Sequence, residues 1–108
     1  MSNAYLSPIL QETQFNDDGT FLAGGLIWTY YAGTTTPLTA FTGPDASTAW
    51  PNPIQLNSRG EIGGELWLQS NQFYKLVLET PPYYGQTHGS VISIFDDVSG
   101  VNDENGTF

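Results

Sequence analysis

The stretch "FYKLVLET", Phe73 to Thr80, decides how the rest of the chain is read. Strand side chains alternate between two faces, so Tyr74, Leu76 and Leu78 fall on one side and Lys75, Val77 and Glu79 on the other. The first row is wholly apolar, and in the second two charged residues flank a single valine. This is the pattern of a strand with one face in a core and the other facing water.

Segments of the same kind recur in both directions. No window sustains apolar residues at i, i+3, i+4 and i+7, and Gly or Pro interrupts nearly every stretch of ten. Upstream, "ETQF" (Glu12 to Phe15) runs into "NDDG" (Asn16 to Gly19), a sequence suited to a tight reversal. Gly24-Gly25 then opens "LIWTYYA", with Leu26, Trp28 and Tyr30 on one face and Ile27, Thr29 and Tyr31 on the other. "PLTAF" (Pro37 to Phe41) and "IQLN" (Ile54 to Asn57) follow. "ELWLQ" (Glu65 to Gln69) sets Leu66 and Leu68 opposite Trp67. Downstream lies "SVISIF" (Ser90 to Phe95). Seven short strands with no helix between them predict an all-β fold, a single antiparallel β-sandwich over residues 1–100. Residues 101–108 are acidic and lack an apolar period, which reads as a flexible tail or linker.

Between two of these strands stands "AGTTTPL", Ala32 to Leu38. Gly33 can end a strand, the threonine hydroxyls can satisfy nearby backbone groups, and Pro37 fixes φ where a missing N–H is tolerable. The stretch is a corner, part of the scaffold and not of an active site.

Composition narrows the function. The chain has 108 residues, 39% hydrophobic and 14% aromatic, enough for one domain with a packed core. Charged residues are 12%, about half the share of an ordinary soluble domain. The net charge is -9, with Arg59 and Lys75 the sole cationic side chains, which argues against nucleic acid and anionic membranes as partners. A basic protein partner is compatible with the negative field. The absence of Cys removes disulfides and thiolate chemistry. "MSNAYLSPILQETQF" lacks the basic and apolar regions of a signal peptide, so synthesis in the cytoplasm without one is expected. No segment approaches the roughly 18 apolar residues of a membrane span.

Four elements in order carry a resemblance. "DDGTFLAGGLIWTYYAGTTTPL" (Asp17 to Leu38) is followed by "NPIQLNSRGEIG" (Asn52 to Gly63), then "LWLQSNQFYKLVLE" (Leu66 to Glu79) and "DDVSG" (Asp96 to Gly100). With the start "YLSPI…TQF", these resemble the N-terminal β-sandwich domains of bacteriophage tail fibres and tailspikes, and related small tail or head-fibre adaptor proteins. The likeness runs from Tyr5 to Gly100, with the strand after the double glycine shifted by about one residue. Where that family has a short turn such as D-x-x-G, this chain has the longer aromatic loop "PPYYGQTHG" (Pro81 to Gly89).

The resemblance implies a non-enzymatic virion component that attaches a tail fibre, tailspike or head fibre to the particle. Its partners would be other virion proteins (fibre, spike, adaptor or nozzle subunits), and a homotrimer is the leading expectation because fibre and spike proteins of this kind are generally trimers. The alternative is a carbohydrate-binding adhesin module that touches a host glycan.

Residue chemistry offers little catalysis. His88 is the only histidine, no GxSxG elbow exists, and Glu61, Glu65 and Glu79 stand where solvated side chains are expected. No cofactor is expected. Calcium is the one metal to weigh, at "NDDG" or at Asp96-Asp97 with Asp103-Glu104. Neither cluster has the twelve-residue spacing of an EF-hand, and Asp17 reads as a turn cap. The candidate interface or ligand residues are Trp50, in a Pro-rich loop, and Tyr83, Tyr84 and His88 in "PPYYGQTHG". Such aromatics stack on sugars or anchor protein interfaces. In the plainer reading Trp50 folds back onto the core, the tyrosines cover a hairpin edge and His88 is a surface loop residue.

Overall fold

A computed structural model of the chain describes residues 3–100. Within them lie seven strands: β1 (Ala4–Leu6), β2 (Leu26–Tyr31), β3 (Ala40–Phe41), β4 (Ile54–Gln55), β5 (Trp67–Gln69), β6 (Tyr74–Glu79) and β7 (Val91–Val98). They form two antiparallel sheets, ordered β1-β5-β3 and β4-β2-β6-β7, and no helix occurs among the described residues. The fold is all-β. The expected tail at 101–108 lies outside the described residues.

The core is built from the inner rows of both sheets. Tyr74, Leu76 and Leu78 of β6 point inward, as their alternation requires, and are joined by Ile27 of β2 and Ile54 of β4. Leu66, Leu68 and Ala40 close the cluster from the three-stranded side. Full burial of one such leucine contributes about 2–3 kcal/mol. Tyr74 also ties the layers together. Its hydroxyl donates to the carbonyl of Thr39 and accepts the Gln69 N–H at 3.0 Å. Burial pushes this phenol up to about 12, because the charged form would be stranded in the core.

The corner at Ala32–Leu38 behaves as its residues dictate. Gly33 has φ +73°, and the Thr34 hydroxyl donates to the Tyr31 carbonyl at 2.8 Å while accepting the Thr36 N–H at 3.1 Å. The chain then pairs Pro37 with Tyr30 and crosses from the four-stranded sheet to β3. Asp96 Oδ1 accepts the Gly33 N–H at 2.9 Å and pins the corner to β7. Between β4 and this corner, the side chain of Asn52 takes the place of a neighbouring strand. Its amide accepts the Thr29 N–H at 3.0 Å and donates to the Thr29 carbonyl at 2.7 Å. The Gly24-Gly25 pair serves both purposes open to glycine: Gly24 has φ +74°, and a Cβ on Gly25 would lie 2.6 Å from Leu22.

Two strand expectations shift. "ETQF" is not a strand; Phe15 forms an isolated bridge with Phe21 across the expected reversal at Asn16–Gly19. In its place the seventh strand is β1, whose residues pair with β5 from Leu6↔Trp67 to Ala4↔Gln69. In the turn, Asp18 and not Asp17 is the cap: its Oδ1 accepts the Thr20 N–H at 3.0 Å and hydroxyl at 2.6 Å, bonds that hold its carboxyl below the usual range.

Candidate interaction surface on the four-stranded sheet

The register between β2 and β6 sets the outer face of this sheet. Leu26 stands opposite Glu79, Trp28 opposite Val77 and Tyr30 opposite Lys75. The sequence predicts water on this face, and there the structure differs. Val77 is buried and Glu79 is only 4% exposed. The cover comes from the "PPYYGQTHG" loop between β6 and β7, which folds back over the sheet.

Glu79 is the centre of this arrangement. Its Oε1 accepts the indole N–H of Trp28 at 2.9 Å and the backbone N–H of Gly89 at 3.2 Å. Its Oε2 lies 3.0 Å from Nδ1 of His88, which donates to it. Three donors on one carboxylate compensate for burying a charge. His88 is therefore no free surface residue. Its ring stacks on Trp28 with centroids 4.2 Å apart and an interplanar angle of 21°, and its side chain is about half-exposed. Trp28 continues into a parallel stack with Tyr30 at 6.2 Å, over which Lys75 Nζ sits 5.6 Å from the ring centre. Burial first, and then the charge of Glu79, raise the phenol of Tyr30 above its ordinary range.

The four residues expected to mark an interface do not gather in one place. Tyr83 and Tyr84 are exposed at the loop tip, where the Tyr83 and Ser90 hydroxyls are hydrogen-bonded and the Gln86 N–H donates to the Tyr83 carbonyl at 2.8 Å. His88 lies at the loop base. Trp50 is on the other sheet. It packs against the core with its indole N–H on the Glu65 carbonyl at 2.9 Å, and its backbone N–H on the Ala40 carbonyl at 2.9 Å. For Trp50 the plainer reading holds.

Beside the loop, β7 is the edge of the sheet, paired on one side to β6. Over its first half the outward row is apolar: Val91, opposite Glu79, is 54% exposed, and Ile94, opposite Val77, is 58% exposed, whereas Asp96 and Asp97 are the exposed residues further along. Between Val91 and Ile94 the register slips, and Ile92 is left in a bulge, also exposed. Trp28, Ile94 and Val91 thus make one patch around the buried Val77, bordered by a strand edge that has no partner among the described residues. The outer face of the other sheet carries a second row, Leu6, Trp67 and Phe41, in register across β1, β5 and β3 and each half-buried.

Glu79 orients an imidazole, but no hydrogen bond joins His88 to a hydroxyl among the described residues. Nor do these residues contain a group of three His, Cys, Asp or Glu side chains placed to hold a metal. At the first calcium candidate Asp18 is committed to its own turn, and Asp96 spends Oδ1 on the N–H groups of Gly33 and Asp97. Asp103-Glu104 lies outside the described residues. No family model matches the chain, and no curated protein matches it.

The sequence missed Trp28 and Glu79. The signal was a lone acid in an outer row otherwise made of Leu26, Trp28, Tyr30, Val77 and Lys75, nine residues before the only histidine.

Proposed function

We propose that this chain is a non-enzymatic structural component of a tailed-phage virion, attaching a tail fibre, tailspike or head fibre to the particle through a multimeric β-sandwich interface. The ordered motifs from Tyr5 to Gly100 support the phage context. The observation that carries the assembly half is the free edge of β7, eight residues long with Val91, Ile92 and Ile94 exposed. The first half of this edge is apolar and offers a template for pairing with another chain, while Asp96, Asp97 and the register break beside them blunt its second half. In this reading the apolar patch and the aromatic loop are buried against neighbouring subunits, three copies of the chain forming the closed unit.

The test is the solution mass by light scattering across a concentration range, with Ile94→Asp alongside. Ile94 points outward, so the change leaves the core intact. A trimer whose dissociation constant rises at least tenfold in the variant, with unchanged circular dichroism, is the expected result. A wild-type chain that stays monomeric throughout, or a trimer indifferent to Ile94→Asp, would count against the assembly.

A further inference from the structure

At the end of the sandwich where β5 turns into β6, a cleft of about 390 Å³ opens beside the last described residues. That volume is near the lower end of small-molecule sites, which span roughly 300–1,000 Å³. Three of its walls are side-chain amides, Gln69, Asn71 and Gln72, and two are rings, Tyr5 and Phe73; Ser99 adds a hydroxyl. Among the described residues no acid and no cation lines it. We propose that this cleft binds a neutral saccharide, stacked on Phe73 and hydrogen-bonded through the amides of Gln72 and Asn71.

The hydrogen-bonding inventory favours that ligand class. A primary amide offers two donors and an acceptor side by side, which matches the paired hydroxyls of a pyranose. Gln69 Nε2 is occupied by the Thr39 carbonyl at 3.2 Å, but its Oε1 is left as an acceptor. The side-chain amides of Asn71 and Gln72 make no hydrogen bond among the described residues. Phe73 is 58% exposed, an uncommon position for a phenylalanine, and its ring offers an apolar face for the C–H groups of a sugar.

The cleft is also held in shape by its surroundings. Asn71 takes φ +61° in the tight β5–β6 turn, and the Phe73 carbonyl accepts the Ala32 N–H at 3.1 Å. Gly100 closes against β1 so tightly that an added Cβ would sit 2.6 Å from Cβ of Tyr5. Charge selects among saccharides. A chain of net charge -9 with no cation in the cleft disfavours sialylated, uronic or phosphorylated sugars and nucleotides, and leaves neutral hexoses and N-acetylhexosamines.

The inference is independent of virion assembly. The experiment is a titration of the full ¹⁵N-labelled chain with maltotriose, lactose, mannobiose and diacetylchitobiose, with sialyllactose as the charged control. Amide shifts confined to Gln69–Phe73 and Ser99–Gly100, with at least one neutral probe, are expected. Phe73→Ala and Gln72→Ala should each weaken that probe at least fivefold, with the rest of the spectrum unchanged. The proposal is overturned if no neutral probe moves these amides, if sialyllactose binds as well as lactose, or if the Phe73→Ala variant binds like the wild type.

Discussion

A carboxylate 4% exposed on the outer face of a sheet must be answered by donors, and Glu79 is answered by Trp28, Gly89 and His88. Glu79→Gln keeps the size but makes the group neutral and turns one acceptor into a donor. The amide NH2 then faces Nδ1 of His88, which keeps a hydrogen bond only by moving its proton to Nε2, and the bonds from Trp28 and Gly89 lose their charged acceptor. The expected loss is about 1–3 kcal/mol, read as a lower urea midpoint with an unchanged slope. Trp28 fluorescence should shift to the red as the loop loosens. A loss within error would mean that the loop is held by the His88–Trp28 stack alone. Tyr74 makes the complementary case in the core. Its phenol is pushed up to about 12, above the ordinary value near 10, so the neutral form is the one favoured by folding. That contribution is complete below about pH 10 and disappears as pH climbs towards 12. Tyr74→Phe should cost about 1–3 kcal/mol at neutral pH by stranding the Gln69 N–H and leaving the Thr39 carbonyl only its bond from Gln69 Nε2. It should also flatten the alkaline decline of stability, without abolishing it, since the phenol of Tyr30 is raised as well. A pH scan of the melting temperature for both proteins checks the sign.

Elements divide into those held by alternation and those held by side chains. β2, β5 and β6 were legible because each carries an alternating row whose inner members are buried. β1 was not, because three residues preceding a proline-bearing turn have no period, and β1 is a strand only by virtue of pairing with β5. "ETQF" has the strand composition but no partner long enough to pair with. The outer face of β6 was misread for a related reason: nothing local to Val77 and Glu79 announces that a loop eleven residues long returns over them. Asn52 shows how one side chain can stand in for a strand. Thr29 is buried, and its N–H has no partner other than the Asn52 amide among the described residues. Asn52→Ala should therefore cost about 1–3 kcal/mol, and Asn52→Asp at least as much, since a carboxylate would face the Thr29 carbonyl at donor distance. Chemical denaturation of the two variants decides it. If Asn52→Ala is neutral, β2 does not need this substitute strand.

At the scale of the whole molecule, two properties pull against each other. The outer faces and the β7 edge offer apolar surface for association, while each copy carries a net charge of -9. The composition made the charge plain, and the strand patterns made the two sheets plain. Which edge is left free could not be read, because edges follow from pairing order and not from any one segment. The interplay sets a direction for salt. At about 0.01 M ionic strength the screening length is roughly 30 Å, long enough for copies of this size to repel as whole molecules. At about 0.15 M it falls to roughly 8 Å, and what remains is local apolar contact and backbone pairing along β7. Self-association should therefore strengthen as salt rises over this range, and the added salt should not rescue Ile94→Asp to the wild-type value, because that substitution places a charge inside the contact itself. Sedimentation equilibrium of both chains at the two salt concentrations makes the comparison. Association that weakens with salt would mean that copies meet through Arg59 or Lys75 and the acids of a neighbour, and that the apolar edge of β7 is not where they join.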